Sequence, residues 1–257
     1  TSLGAGALNK ITDGDKNVAV GMYAARSGTT AKHSVAVGNE AARLGITGNY
    51  NVSVGYQANY SGTKDANVII GYQAAVDAAT QSGSVSVGYR AGRYVQGNYN
   101  VFMGMAAGLG NSSVNTAELN VGIGYNALNS VSSGGYNVAV GAYSGQDLST
   151  GGTNTLIGYN AGTDVTTGGS NTLIGFDAGK ATDTESNNVA VGAGALRTTA
   201  DSWNTAIGVN AARVYTGHSI VALGYEAGSQ NVSGGGNTIL GNVAFCNHAA
   251  GASNVAI

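Results

Sequence analysis

The sequence predicts an all-β fold, a parallel β-solenoid of about fifteen coils of 16 or 17 residues, on three observations. One short motif, best written NVAVGYxAG, recurs from end to end; its period is too short for helical repeats; and β-branched residues sit among Gly and Asn. The anchor glycines are Gly4, Gly21, Gly38, Gly55, Gly71, Gly88, Gly104, Gly124, Gly141, Gly158, Gly175, Gly192, Gly208, Gly224 and Gly241. Successive anchors lie 16 or 17 residues apart except between Gly104 and Gly124, where three extra residues enter. One repeating unit therefore fills residues 1–257 as a single repetitive segment.

Within a coil, an Asn four before the anchor comes first, as at Asn17, Asn51, Asn100, Asn137, Asn171, Asn204 and Asn237, and predicts an amide ladder at a turn. The core strand follows. Its residue three before the anchor is always Val or Thr and its residue one before is always apolar (Val20, Val54, Ile70, Met103, Ile157, Ile207, Leu223). These two share a face by strand alternation and are read as the coil interior. The residue between them (Ala19, Ala36, Ile69, Phe102, Leu156, Leu173, Ala190, Ile239) is also apolar or small, so the opposite face is expected to be buried against another chain. A symmetric homo-oligomer follows, with two-fold, three-fold and filament arrangements all open. Three residues past the anchor stands Ala in every unit except at Ser144, where close backbone packing is expected. A weaker apolar signal seven or eight past the anchor (Ile11, Ile46, Val95, Val131, Leu148, Val165, Val232), then Gly at ten past (Gly48, Gly134, Gly151, Gly168, Gly234), predicts a second short strand and its turn.

Composition supports a packed protein of small residues: 43 Gly, no Pro, 43% hydrophobic and 9% charged, unlike disordered or collagen-like chains. A formal charge of -2 gives no reason to expect nucleic acid or an anionic membrane as partner. No apolar run reaches the roughly 18–20 residues of a membrane span, so no membrane insertion is expected. The single Cys246 provides no disulfide framework. Coils stacked at about 4.8 Å would make a rod on the order of 70 Å long. The chain opens on TSLG and closes on SNVAI, both inside a repeat, which is the expectation for a segment of a longer fibre.

The tandem NTLIGYNAGTDVTTGGS and NTLIGFDAGKATDTES resembles the repeats of bacteriophage tail fibres and large bacterial surface proteins, fibres that often end in an endosialidase-type intramolecular chaperone domain. The core NVAVG is also similar to the head repeats of trimeric autotransporter adhesins, which form a left-handed parallel β-roll in a homotrimer. The coil here is longer than theirs, which favours the tail-fibre likeness. The resemblance covers the whole chain and implies a homotrimeric fibre, in a virion tail fibre or at a cell surface, that meets a glycan or protein receptor.

Other features compete with this frame. Residues 122–127, GIGYNA, match the dinucleotide fingerprint form, but Gly124 and Ala127 hold ordinary anchor and Ala positions, so no cofactor is expected. Five past the anchor stand Arg26, Arg43, Arg93, Lys180, Arg197 and Arg213, a basic stripe that fits acidic glycans or, as favoured, a solvated corner neutralised by Glu40, Asp177 and Glu226. One past the anchor stand Tyr56, Tyr72, Tyr89, Tyr125, Tyr159, Phe176 and Tyr225, an aromatic column suited to carbohydrate but read as stacking between coils or burial between subunits. His33, His218 and His248 occupy unrelated coil positions, so no metal is expected. Cys246 lacks a sequence pairing with both a His and an acid that would suggest a nucleophile, and the acids form no groove pair at matching positions, so no catalytic residue is assigned and no ligand-binding residue singled out. A bacterial adhesin and a polysaccharide- or ice-binding solenoid stand as alternatives to the tail fibre. The enlarged spacing at residues 111–118 is expected to bulge outward without breaking the stack.

Overall fold

A computed structural model describes residues 1–10, 12–27, 30–44, 48–62, 64–111, 115–199, 201–230, 233–246 and 251–257. Among them there is no helix, and the motif forms a β-solenoid coil each time it recurs. Two compact units divide the chain, residues 1–133 and 134–257. In the first, β1 (Ser2–Leu3), β2 (Val18–Val20), β3 (Val35–Val37), β4 (Val52–Val54), β5 (Val68–Ile70), β6 (Val85–Val87), β7 (Val101–Met103) and β8 (Val121–Ile123) run parallel in chain order. The second holds β9 (Val138–Val140), β10 (Thr155–Ile157), β11 (Thr172–Ile174), β12 (Val189–Val191), β14 (Thr205–Ile207), β16 (Val221–Leu223), β17 (Thr238–Leu240) and β18 (Val255–Ala256), again parallel. Pairing sets each motif residue on its own equivalent, as in Thr155↔Thr172 and Leu156↔Leu173.

The strands are short because both flanks have their own conformation. The anchor Gly after each lies at a φ that disfavours side chains, for example +135° at Gly158. Beyond it, residues two and four past the anchor are left-handed even when they are not Gly, as at Gln57 and Asn59 or Asp177 and Gly179. The alternation turns successive N–H groups to opposite neighbours. Gln57 donates to the Asn39 carbonyl of the preceding coil at 3.0 Å, and Asn59 to the Ala74 carbonyl of the following coil at 3.0 Å. Hydrogen bonds in both directions over-determine a conformation that costs about 1 kcal/mol or more per residue.

This corner replaces most of the expected second strand. Among the described residues, a strand pair of that kind forms only between β13 (Thr198–Thr199) and β15 (Val214–Tyr215). Elsewhere the segment is turn, yet its apolar signal is real, since Val95, Val131, Leu148 and Val165 are fully buried. Ile11, Ile46 and Val232 lie outside the described residues.

The strand faces are the reverse of the expectation. The residues two before the anchor (Ala19, Phe102, Leu156, Leu173, Ile239) form the coil interior, whereas Val18, Ile70, Met103, Ile157 and Ile207, three or one before it, are exposed. Interior volume explains the choice. Phe102 fits because Gly108 and Gly122 surround it: a Cβ at Gly122 would lie 3.0 Å from the Phe102 ring, and one at Gly108 would collide with it. Leu173 is likewise answered by Gly179, whereas Leu196 and Leu128 occur where Ala190 and Gly122 leave room. A slim coil can hold large side chains only where a neighbouring layer is small.

The Asn ladder forms as expected. Each Asn is buried; Asn171 Oδ1 accepts the Asn188 N–H at 3.0 Å, Asn171 Nδ2 donates to the Glu185 carbonyl at 2.9 Å, and the Asn171 N–H donates to Asn154 Oδ1 at 2.9 Å.

The long spacing leaves the stack intact, because β7 and β8 keep the register Val101↔Val121, Phe102↔Gly122 and Met103↔Ile123. The expected outward bulge is corrected in part: Asn115 and Ala117 are fully buried, and Asn115 Nδ2 donates to the Val131 carbonyl at 2.5 Å. Asn111, Thr116 and Glu118 are exposed, and residues 112–114 lie outside the described residues. The extra length brings one more amide inward, where it satisfies a carbonyl that the ordinary ladder does not reach.

Candidate functional site

Each unit carries two kinds of outward surface. The first is the strand face of Val or Thr and Val, Ile, Met or Leu, half-buried or exposed on every coil and repeated in register with the pairing. The second is the aromatic column one past the anchor, which is exposed. Tyr56 and Tyr72 stack at 5.1 Å, Tyr72 and Tyr89 at 5.3 Å, and Tyr159 and Phe176 at 5.5 Å. Tyr72, stacked on both sides, shows only its edge to solvent, whereas Tyr159 and Phe176 each stack on one other ring of the column.

Half of the basic stripe is ion-paired within the chain. Arg43 Nη1 lies 2.7 Å from Glu40 Oε1, Arg197 Nε 3.3 Å from Asp177 Oδ2, and Arg93 Nε 3.8 Å from Asp77 Oδ2. Around them runs a polar chain two past the anchor: Gln57 Nε2 donates to Glu40 at 2.8 Å, Gln73 Nε2 to Gln57 at 2.9 Å, and Arg90 Nε to Gln73 at 3.3 Å. Arg26 and Arg43 also lie over the Tyr23 ring. The neutralised-corner reading thus describes Arg43, Arg93 and Arg197; among the described residues Arg26, Lys180 and Arg213 form no ion pair, and Arg213 is exposed.

The remaining candidates stay apart. His33 stacks on Tyr50 at 5.1 Å, His218 sits beside Ser219 at 3.3 Å, and His248 lies outside the described residues. Among the described residues no group of three His, Cys, Asp or Glu is placed to hold a metal ion. Cys246 is a half-buried free thiol. GIGYNA is a strand end and a turn in which Gly124 has φ +135° and Ala127 is buried, with no helix to receive a phosphate. No helix of the described residues is long and apolar enough to cross a membrane.

Three groups have displaced acidities. Burial lifts Asp164 above the ordinary carboxylate range, and the like charge of Asp147 adds to it. Burial also raises Tyr215, whose hydroxyl donates to the Gly234 carbonyl. The Tyr225 hydroxyl is raised by its hydrogen bond to the Glu226 carboxylate, whose charge adds to the effect.

Two surface features escape a reading of the motif alone. One is a second exposed column five before the anchor, where Tyr50, Tyr99, Tyr136 and Trp203 sit at left-handed φ. Its residues vary too much, from Lys16 to Gly236, to show as a motif, and only aligning the coils on their anchors would collect them. The other is a groove in the second unit, where Ala193 and Gly194 interrupt the column. Compared with family models, curated proteins and solved structures, the chain matches none.

Proposed function

We propose that this chain is a shaft segment of a homotrimeric fibre, of the phage tail-fibre kind, that projects or itself forms a host-cell receptor-binding surface. The observation that carries the reading is the outward strand face. A solenoid coil has one interior, and that interior is already filled by the residues two before each anchor. The aliphatic residues on the other face, Val18, Ile70, Met103 and Ile123 in one unit and Ile157, Ile207 and Val221 in the other, have no partner inside their coil, although each is more than a third exposed. Repeated in register, they make an apolar ridge that an identical ridge on a second and third chain covers. The basis for the oligomer thus moves from the residues two before the anchor to those three and one before it. Three chains, rather than two, is what the resemblance to trimeric fibres implies.

Light scattering with chemical crosslinking tests the assembly. Three chain masses are expected for the native protein, and Ile157→Lys with Ile207→Lys should yield monomers whose β circular dichroism is unchanged. A native monomer at micromolar concentration would remove the ridge argument. For the attachment role, the fluorescently labelled protein should bind intact bacterial cells in a saturable way.

A further inference from the structure

The aromatic column and the polar chain beside it are both interrupted at one coil of the second unit. One past the anchors, the residues run Tyr159, Phe176, Ala193, Val209, Tyr225; two past, they run Asn160, Asp177, Gly194, Asn210, Glu226. Phe176 stacks on Tyr159 with an interplanar angle of 9°, which covers one of its faces. On the other side stands Ala193, so the second face is bare and the residue is 56% exposed. In the polar chain, Asn160 Nδ2 donates to Asp177 Oδ1 at 3.0 Å, and then Gly194 supplies no side chain. The Asn210 amide leans into that vacancy: a Cβ at Gly194 would lie 2.5 Å from Asn210 Oδ1.

The gap is a groove of about 390 Å³ whose rim is completed by Arg197 and Arg213, and a second hollow of about 340 Å³ shares Asn210 and Arg213 with it and reaches Glu226. These volumes fall in the range of small-molecule sites. Its chemistry is specific. A bare aromatic face is the negative side of a ring quadrupole and attracts C–H groups that carry partial positive charge. The rim offers the Arg213 fork and the Asn210 amide, donors and an acceptor side by side, while the buried Asp177 carboxylate is already held by Asn160 and Arg197. The groove itself is lined by Arg197, Arg213 and Asp177, and Arg197 pairs with Asp177 at 3.3 Å, so its rim carries a formal charge of +1, borne by Arg213.

We infer that this groove binds a pyranose unit of a saccharide, its C–H face on Phe176 and its polar substituents on Asn210 and Arg213. The inference gives a ligand class to the receptor-binding part of the fibre reading and rests on that reading for its setting only, because the groove belongs to one unit of one chain.

Saturation-transfer NMR with maltotriose, cellotriose and chitotriose tests it on the native protein. At least one is expected to bind with millimolar affinity and to draw saturation at the ring C–H protons. Ala193→Tyr, which continues the column as Tyr72 does between Tyr56 and Tyr89, should fill the groove and weaken binding at least tenfold without lowering the melting temperature. Phe176→Ala should do the same by removing the platform, while Tyr56→Ala in the other unit should leave binding unchanged. Absence of binding by all three sugars, or binding that survives Ala193→Tyr, overturns the inference; a galacturonic acid trimer is expected to bind at least as tightly as the neutral ones, through Arg213. Molar mass from light scattering reads the fibre assembly separately, so failure of one is not failure of the other.

Discussion

A Cβ at Gly158 would meet two obstacles at once, a φ of +135° and the Gly175 carbonyl of the next coil. Gly158→Val is therefore expected to destabilise its unit by about 2 kcal/mol or more, read as a fall in the denaturant midpoint. Asn171 tests the ladder in a different way, since its removal strands the Asn188 N–H and the Glu185 carbonyl. Asn171→Ala should cost about 2–6 kcal/mol, because a buried N–H and a part-buried carbonyl lose their partner at about 1–3 kcal/mol each; Asn171→Asp, which keeps the acceptor but buries a charge, should not restore stability. Asp164 gives a pH signature. Its pKa in the folded chain is raised above the ordinary carboxylate value by burial and by Asp147, so the native state favours the protonated form. Stability from this group is present below the ordinary carboxylate range and is lost as pH rises through the raised value. Asp164→Asn should accordingly raise the melting temperature at neutral pH and have little effect in acid; an equal gain at both would assign the effect to something other than ionisation.

At the scale of one coil, the controlling quantity is volume shared between layers. Phe102 sits over Gly122 in the β7–β8 register, and the 3.0 Å separation from a Cβ on Gly122 leaves no slack. Gly122→Ala alone should destabilise the first unit, whereas Gly122→Ala combined with Phe102→Leu should recover much of the loss, with a coupling on the order of 1 kcal/mol in a double-mutant cycle. Strict additivity would mean that the two layers do not share space. The same arithmetic explains why the motif leaves the strand faces ambiguous. Both faces of Val-Ala-Val or Thr-Leu-Ile are apolar, so alternation cannot say which points inward. The better sign was variance: residues two before the anchor range from Gly to Phe, and complementary changes occur at neighbouring Gly, as interior packing demands. An outward ridge that contacts copies of itself keeps a nearly constant size.

At the scale of the molecule, the apolar character of the outward ridge sets the response of the proposed trimer to solvent. Ionic contacts are screened within about 3 Å in molar salt, whereas apolar burial is strengthened by excluded salts and weakens on cooling. The trimer, read by light scattering without crosslinking, is thus expected to persist in concentrated sodium sulfate; dissociation there would assign the contact to charged groups and not to Ile157, Ile207 and their equivalents.

The sequence by itself determined the repeating unit, the parallel register, the need for Gly at each anchor and the Asn ladder. Each is a demand that one residue type meets at a fixed place in every coil, and so leaves a periodic trace. Only the tertiary structure decided which strand face is interior, that left-handed corners stand where a second strand was expected, and that Asn115 turns inward in the longest coil. The groove at Ala193 and Gly194 was likewise beyond the motif, because it is defined by side chains missing between neighbours five or more positions distant along the chain, and the motif records what is repeated. Backbone hydrogen bonding repeats with the period and is legible; volume and vacancy arise between unlike layers, and become visible only when the coils are stacked.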